Sequence, residues 1–272
     1  MGRVIAVANQ KGGVGKTTTT LNLAASLAVA GQRVLLVDVD PQANLTSGVS
    51  LKGQAGPGGT VYNALTHETA GPDAHPFILK TSTERLDIIP ADRNLTGAEI
   101  EMVTLDRREE RLRLILATVR DEYDFIFIDS PPSLGLLTLN ALVSADAVLI
   151  PLHCEYYALE GIADLWGTVR RVRSALNPGL DIEGVLFTMF DERTNLSQQV
   201  AAEVRAFFKE KVFRTTIPRN VRLGEAPSHG MPVIQYDPKS RGSEAYVALA
   251  REVLERDALS APTSAPVPEH TN

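Results

Sequence analysis

The chain has 272 residues, of which 44% are hydrophobic, one cysteine and a net charge of −6. That length and apolar content suit one large α/β domain or two small ones, and the acid excess excludes a protein whose whole surface binds polyanions, so any nucleic-acid face has to be a local patch. The lone Cys154 excludes an internal disulfide and a four-cysteine metal cluster within the chain, which fits a reducing cytosol.

In chain order, residues 3–9 read as a first strand, built on the apolar run Val4 to Ala8. Met1, Gly2 and Arg3 lead straight into it, so neither a signal peptide nor a myristoylation site is expected. A glycine-rich turn follows: Gln10, Lys11, Gly12, Gly13, Val14, Gly15, Lys16, Thr17, Thr18. Strand, glycine-rich turn and helix in that order form a phosphate-binding loop, in which backbone N–H groups and a helix N-terminus meet the phosphate oxygens. Lys16 is placed to reach the β- and γ-phosphates, and the Thr17 hydroxyl to coordinate Mg²⁺. The turn also departs from the common G-x-x-x-x-G-K-[ST] pattern: Gln10 stands where a glycine belongs, and a second lysine, Lys11, opens the turn.

The spacing of Leu21, Leu23, Ala24, Leu27 and Ala28 predicts a helix over residues 16–30, closed by Gly31. Val34 to Val37 form a short apolar strand leading to Asp38 and Asp40, and residues 52–60 form a loop. A weak strand is expected at residues 87–90, and helices at 94–103 and 106–121. The buried strand 125–128 ends in Asp129. Helix 134–144, strand 147–150, helix 158–175, strand 183–188, helix 196–209 and helix 243–256 follow. This alternation predicts an α/β fold, a doubly wound and mostly parallel sheet flanked by helices, with ligands beyond the C-terminal strand ends. Residues 1–257 are expected to be one domain and the Pro/Ala/Ser-rich residues 258–272 a disordered tail. No run of 18 apolar residues is present, so no membrane span is expected.

An apolar strand ending in aspartate is the usual partner of a phosphate loop, which assigns Asp129 to Mg²⁺, directly or through a water. Asp40 is the candidate to orient or activate a hydrolytic water, while Asp38 is either a metal ligand or structural. Residues 193–241 hold nine lysines and arginines against four acids, the asymmetry of a local phosphate-contacting face on an acidic protein. Cys154 and Trp166 read as packed side chains, with Trp166 in the core or at an interface. The histidines, His153 and His229 among them, lack zinc-ligand spacing.

Five segments together resemble the ParA/Soj family of chromosome- and plasmid-partitioning ATPases: K-G-G-V-G-K-T-T-T at 11–19, V-D-V-D-P-Q-A-N at 37–44, D-S-P-P-S-L at 129–134, C-E-Y-Y-A-L-E-G at 154–161 and I-P-R-N-V-R-L-G-E-A-P-S-H-G at 217–230. The resemblance spans about residues 2–256. It implies a P-loop ATPase of the deviant Walker A class, with ATP and Mg²⁺. Lys11 matches the signature lysine that reaches the other subunit's nucleotide, so the active form would be an ATP-sandwich homodimer. Lys16 and Thr17 match the phosphate and Mg²⁺ residues, Asp40 the residue needed for hydrolysis, Asp129 the Walker B aspartate, and Pro218 and Asn220 positions around the adenine. Arg193 and Arg222 match arginines used to bind double-stranded DNA non-specifically, with Arg219, Lys239 and Arg241 as further candidates. Glu155 is a candidate contact for the partner's signature lysine, and Tyr156 and Tyr157 are expected near the nucleotide or the dimer seam. A ParB-like centromere-binding protein would stimulate slow hydrolysis, and the protein would be cytoplasmic and nucleoid-associated.

Three alternatives share some of these features. A MinD-like membrane-cycling ATPase needs a basic amphipathic C-terminal helix. Here Tyr246, Leu249, Ala250 and Val253 form an apolar face, but the polar face is of mixed charge, so no stable membrane association is expected. A nitrogenase-iron-protein-like electron carrier needs two cluster cysteines, and a metabolic kinase needs an acceptor pocket that no segment suggests.

Overall fold

Gly31 takes φ 95° just beyond the first helix and turns the chain back to the sheet. It joins the first repeat, β1 (Arg3–Val7) and α1 (Lys16–Val29), to β2 (Val34–Asp38). The computed structural model describes residues 1–156 and 158–260, so the expectation for Tyr157 and most of the expected tail lie outside the described residues. Two short helices, α2 (Asn44–Gly48) and α3 (Val61–Thr66), precede the hairpin of β3 (Leu79–Lys80) and β4 (Leu86–Ile89). Helices α4 (Leu95–Glu101) and α5 (Arg111–Ala117) lead to β5 (Phe125–Asp129), and α6 (Leu136–Ser144) leads to β6 (Ala147–His153). Helix α7 (Ala158–Ala175) returns to β7 (Asp181–Thr188). Then come α8 (Asn195–Phe208), α9 (Val221–Glu225), α10 (Val233–Tyr236) and α11 (Arg241–Ser260).

The seven strands lie in the order β3-β4-β2-β5-β1-β6-β7. Every neighbouring pair is parallel except β3 with β4 at one edge. This is the doubly wound, mostly parallel sheet that the alternation predicts. Strand alternation sends Val4, Ala6, Leu35, Val37, Ile126 and Ile128 into one core layer, and Ile5, Val7, Val34, Leu36, Phe125 and Phe127 into the other. The first layer packs under α3 to α8, and the second under α1 and α11. Both faces being covered explains why the strands read as continuous apolar runs. In the register, Asp129 stands level with Val7 on one side and Asp38 on the other. The two aspartates and the start of the glycine turn therefore meet at one sheet edge.

The structure departs from the expected elements at α5, at the shortest elements and at the end of α11. Helix α5 is shorter than 106–121, because Arg107 takes φ 55° and breaks the helical run. Helices α2, α3, α9 and α10 and strand β3 are too short for a periodic apolar signal. Helix α11 runs to Ser260, three residues past the expected end of the domain. Its apolar face, Tyr246, Leu249, Ala250 and Val253, is buried in the layer shared with α1, so that face cannot lie on a bilayer.

Candidate functional site

The glycine turn owes its shape to two left-handed residues, Gly13 at φ 73° and Gly15 at φ 86°, with Gly15 capping α1. Neighbouring segments pin the loop. Thr188 at the end of β7 donates to the Val14 carbonyl at 2.8 Å, and the Lys11 N–H donates to Asn9 Oδ1 at 3.0 Å. Asn9 is itself tied to the Pro151 carbonyl at 2.7 Å. Lys16 is only 7% exposed, and its ammonium donates to the Lys11 carbonyl at 3.3 Å. Burial pulls its pKa down, against the opposing pull of Asp129 and Asp40. A buried ammonium resting on a long carbonyl bond, at a helix N-terminus with open backbone around it, suits a phosphate group.

On the acidic side, Thr17 Oγ1 donates to Asp129 Oδ2 at 2.7 Å, and Thr20 Oγ1 donates to Asp129 Oδ1 at 3.2 Å. Asp129 is fully buried. Desolvation, reinforced by Asp38, pushes its pKa up to about 8, against the Thr17 hydrogen bond. The Asp129 carboxylate in a low-dielectric edge, with the Thr17 hydroxyl beside it, offers hard oxygen donors that fit a Mg²⁺ ion. Asp38 makes a different set of bonds. It accepts the Thr46 N–H at 2.9 Å, the Thr46 hydroxyl at 2.7 Å and the Asp40 N–H at 3.1 Å. Desolvation raises its pKa to about 6, against the Thr46 hydrogen bonds. Of the two roles left open for Asp38, these bonds describe an anchor for the loop after β2. Asp40, next along that loop, accepts the Gln42 N–H at 2.9 Å and faces the cleft beside the glycine turn.

The cleft has a volume of about 520 Å³. Gly12, Gly13, Gly15, Lys16, Thr17, Thr18 and Asp40 line one wall, and Pro218, Arg219 and Asn220 line another. Asn220 also caps α9, accepting the Arg222 N–H at 2.9 Å. Met189, Ile217, Leu223 and Tyr246 add apolar lining. Sequence reasoning missed these, because each reads as an ordinary apolar position. Tyr246 was legible only as part of a helix face, and its hydroxyl lies 3.2 Å from Thr19 Oγ1.

Lys11 pairs with Glu155 of its own chain, and Glu155 also holds His153 Nδ1 at 2.6 Å. Hydrogen bonding from Lys11 lowers the Glu155 pKa. Cys154 is buried, and burial pushes its thiol up to about 12, as suits an inert packed side chain. Trp166 is half-buried, edge-on to Phe208 with ring centres 6.1 Å apart.

The basic segment is less basic in space than along the chain. Arg193 is paired with Asp191, Lys211 with Asp181, Arg214 with Glu252 and Glu255, and Arg222 with Glu225 and Asp237. Most of these acids lie outside residues 193–241, so a count along the chain misses them. Arg219, Lys239 and Arg241 belong to no ion pair among the described residues.

Comparison with known proteins gives the following. Residues 2–182 match the family described as AAA domain. The chromosome partitioning protein ParA of Myxococcus xanthus is 55% identical over 96% of this chain and 91% of that protein. The sporulation initiation inhibitor protein Soj of Bacillus subtilis is 56% identical over 93% of this chain and 98% of that protein. Among solved structures, a cobyrinic acid a,c-diamide synthase from Mycobacterium smegmatis with bound ADP and magnesium superposes with a TM-score of 0.80 at 35% identity. The match covers 95% of this chain and 96% of that one.

Proposed function

The chain belongs to the ParA/Soj family of chromosome-partitioning ATPases, and we propose that it is an ATP-switched DNA-segregation ATPase. In this reading the ATP-bound form is a homodimer that grips double-stranded DNA without sequence preference, and hydrolysis, stimulated by a ParB-like centromere-binding partner, releases it. The protein would then work on the nucleoid in the cytoplasm. The observation that carries the reading is the convergence around the left-handed glycine turn of Lys16, Thr17 and Asp40 in one cleft, with Asp129 behind Thr17.

ATP is the substrate and Mg²⁺ its companion ion. Backbone N–H groups from Gly12 to Thr18 cradle the phosphates, and Lys16 binds the β- and γ-oxygens. Thr17 and Asp129 would hold Mg²⁺, which when bound would supply positive charge to the phosphate oxygens. Asp40 positions the attacking water and accepts its proton. Pro218 and Asn220 pack around the adenine. Lys11 supplies a cation to the partner's nucleotide, and to do so it exchanges its intrachain bond to Glu155 for phosphate. Dimerisation then excludes water from the phosphates and makes hydrolysis a release switch. Arg193 and Arg222 contact DNA phosphates, with Arg219, Lys239 and Arg241 contributing; Arg219, which also lines the cleft, is the least separated from the nucleotide.

The test is DNA binding with ATP at low and high salt for wild type, Lys16→Ala and Arg222→Ala. Lys16→Ala loses the ATP response, and Arg222→Ala weakens binding and flattens its salt dependence. If Arg222→Ala binds as tightly as wild type, the DNA face is misassigned. If Lys16→Ala keeps ATP-dependent binding, the switch is wrong.

A further inference from the structure

Arg193 and Arg222, the two principal DNA-binding candidates, are already engaged within the chain. Arg193, on the turn between β7 and α8, exposes 88% of its side chain. Yet its Nε and Nη2 donate to the two Asp191 carboxylate oxygens at 2.8 and 2.7 Å, and its backbone N–H donates to the same group at 3.0 Å. These bonds hold the Asp191 pKa well below the usual carboxylate range, so the acid stays charged at any working pH. Arg222, on α9, gives Nη1 to Glu225 at 2.7 Å and Nε to Asp237 at 3.2 Å.

A guanidinium fork takes one bidentate carboxylate or one phosphate in the same geometry. DNA contact by these arginines is therefore an exchange, in which each leaves a carboxylate and takes a phosphate. The released carboxylate stays beside its arginine, Asp191 two residues away and Glu225 three, and repels the incoming phosphate. The net gain is smaller than a free arginine would give, and the intrachain pair reforms as soon as the phosphate leaves. All three partners lie in the same chain as their arginines, so the competition is present however the chain assembles.

We propose that Asp191, Glu225 and Asp237 compete with DNA phosphate for Arg193 and Arg222 and thereby set how tightly, and with what salt dependence, the chain holds DNA. The proposal rests on the DNA-binding reading above and adds to it the residues that weaken the grip.

The experiment titrates a fluorescent duplex with the full chain, ATP and Mg²⁺ across a salt series. The variants are Asp191→Asn, Glu225→Gln, Arg193→Ala, Arg222→Ala and the double variant Asp191→Asn with Arg193→Ala. Asparagine keeps an oxygen to accept the Arg193 N–H, so the turn is preserved. Glu192→Gln is the control. It removes one charge beside Asp191, but in the structure the hydrogen bond of Glu192 is made by its backbone carbonyl, to Gln198. Asp191→Asn and Glu225→Gln each tighten binding roughly three- to tenfold at low salt. Asp191→Asn, which frees Arg193, also steepens the log K against log salt slope by up to about 0.9, and Glu225→Gln by less, since Asp237 still holds Arg222 Nε. Glu192→Gln changes affinity by less than about twofold, and the Asp191→Asn gain disappears when Arg193 is alanine. If the two paired-acid variants behave like Glu192→Gln, or if the gain survives without Arg193, competition is refuted while the DNA-binding reading stands. If Arg193→Ala and Arg222→Ala both bind like wild type, the DNA face fails and the competition with it.

Discussion

Thr46→Val is the sharpest probe of how the loop after β2 is held. Thr46 is fully buried, and its hydroxyl has two jobs: it donates to Asp38 Oδ2 at 2.7 Å and accepts the Ala91 N–H at 3.0 Å. Valine matches its shape and removes both bonds. Losing a hydrogen bond to a charged carboxylate costs about 1.5–3 kcal/mol, and an orphaned buried N–H costs about 1–3 kcal/mol more. A total of about 2.5–6 kcal/mol follows, which at about 2–4 °C per kcal/mol lowers Tm by on the order of 10 °C. Asp38 also fixes the Asp40 N–H at 3.1 Å, so the loop that carries Asp40 loosens. A misplacement of about 1 Å is enough to cut turnover by ten- to a hundredfold. Thermal melting and steady-state ATP hydrolysis read the two effects, and Thr46→Ser, which keeps the hydroxyl, should recover most of both. If Thr46→Ser is as damaged as Thr46→Val, the methyl packing and not the hydroxyl network holds the loop, and the reasoning fails.

Asp40→Ala should abolish most ATP turnover, by about 10²–10⁴-fold, while nucleotide binding persists; normal hydrolysis would remove Asp40 from the reaction. Gly15→Ala places a Cβ at φ 86°, where the nearest atoms, in Thr188, lie 3.8 Å away, so the penalty is conformational and not steric. Nucleotide affinity measured by fluorescent-analogue titration should fall far more than Tm, and an unchanged affinity would show that the turn tolerates a side chain. The His75 pKa is raised by its hydrogen bonds to Asp73 and then Glu122, above its ordinary 6.5. Its stabilising contribution is complete below the unfolded value and fades as pH climbs through the higher folded value. The stability gap between wild type and His75→Ala in urea should therefore be largest in mild acid and close in alkali; a gap that widens with pH would reverse the sign of the linkage.

Long elements were legible because their apolar periodicity is local. The patterns of α1, α7 and α8 and of the central strands place them within one or two residues of where they fold. Short elements such as α9 and α10 carry too few residues for a period, and tertiary packing decides them. The glycine turn was legible for the same reason as the long elements: left-handed glycines, lysine and threonine lie in one unbroken stretch.

What the amino-acid order determined by itself was the succession of strands and helices and the chemistry of the turn, since both depend on neighbours along the chain. Only the tertiary structure brought Asp129 to Thr17 across 112 residues and Glu155 to Lys11 across 144. Only it separated the two aspartates at the end of β2, tying Asp38 to Thr46 and leaving Asp40 to face the cleft. It also paired four of the nine clustered cations with acids, those of Lys211 and Arg214 coming from distant segments, because charge acts through space.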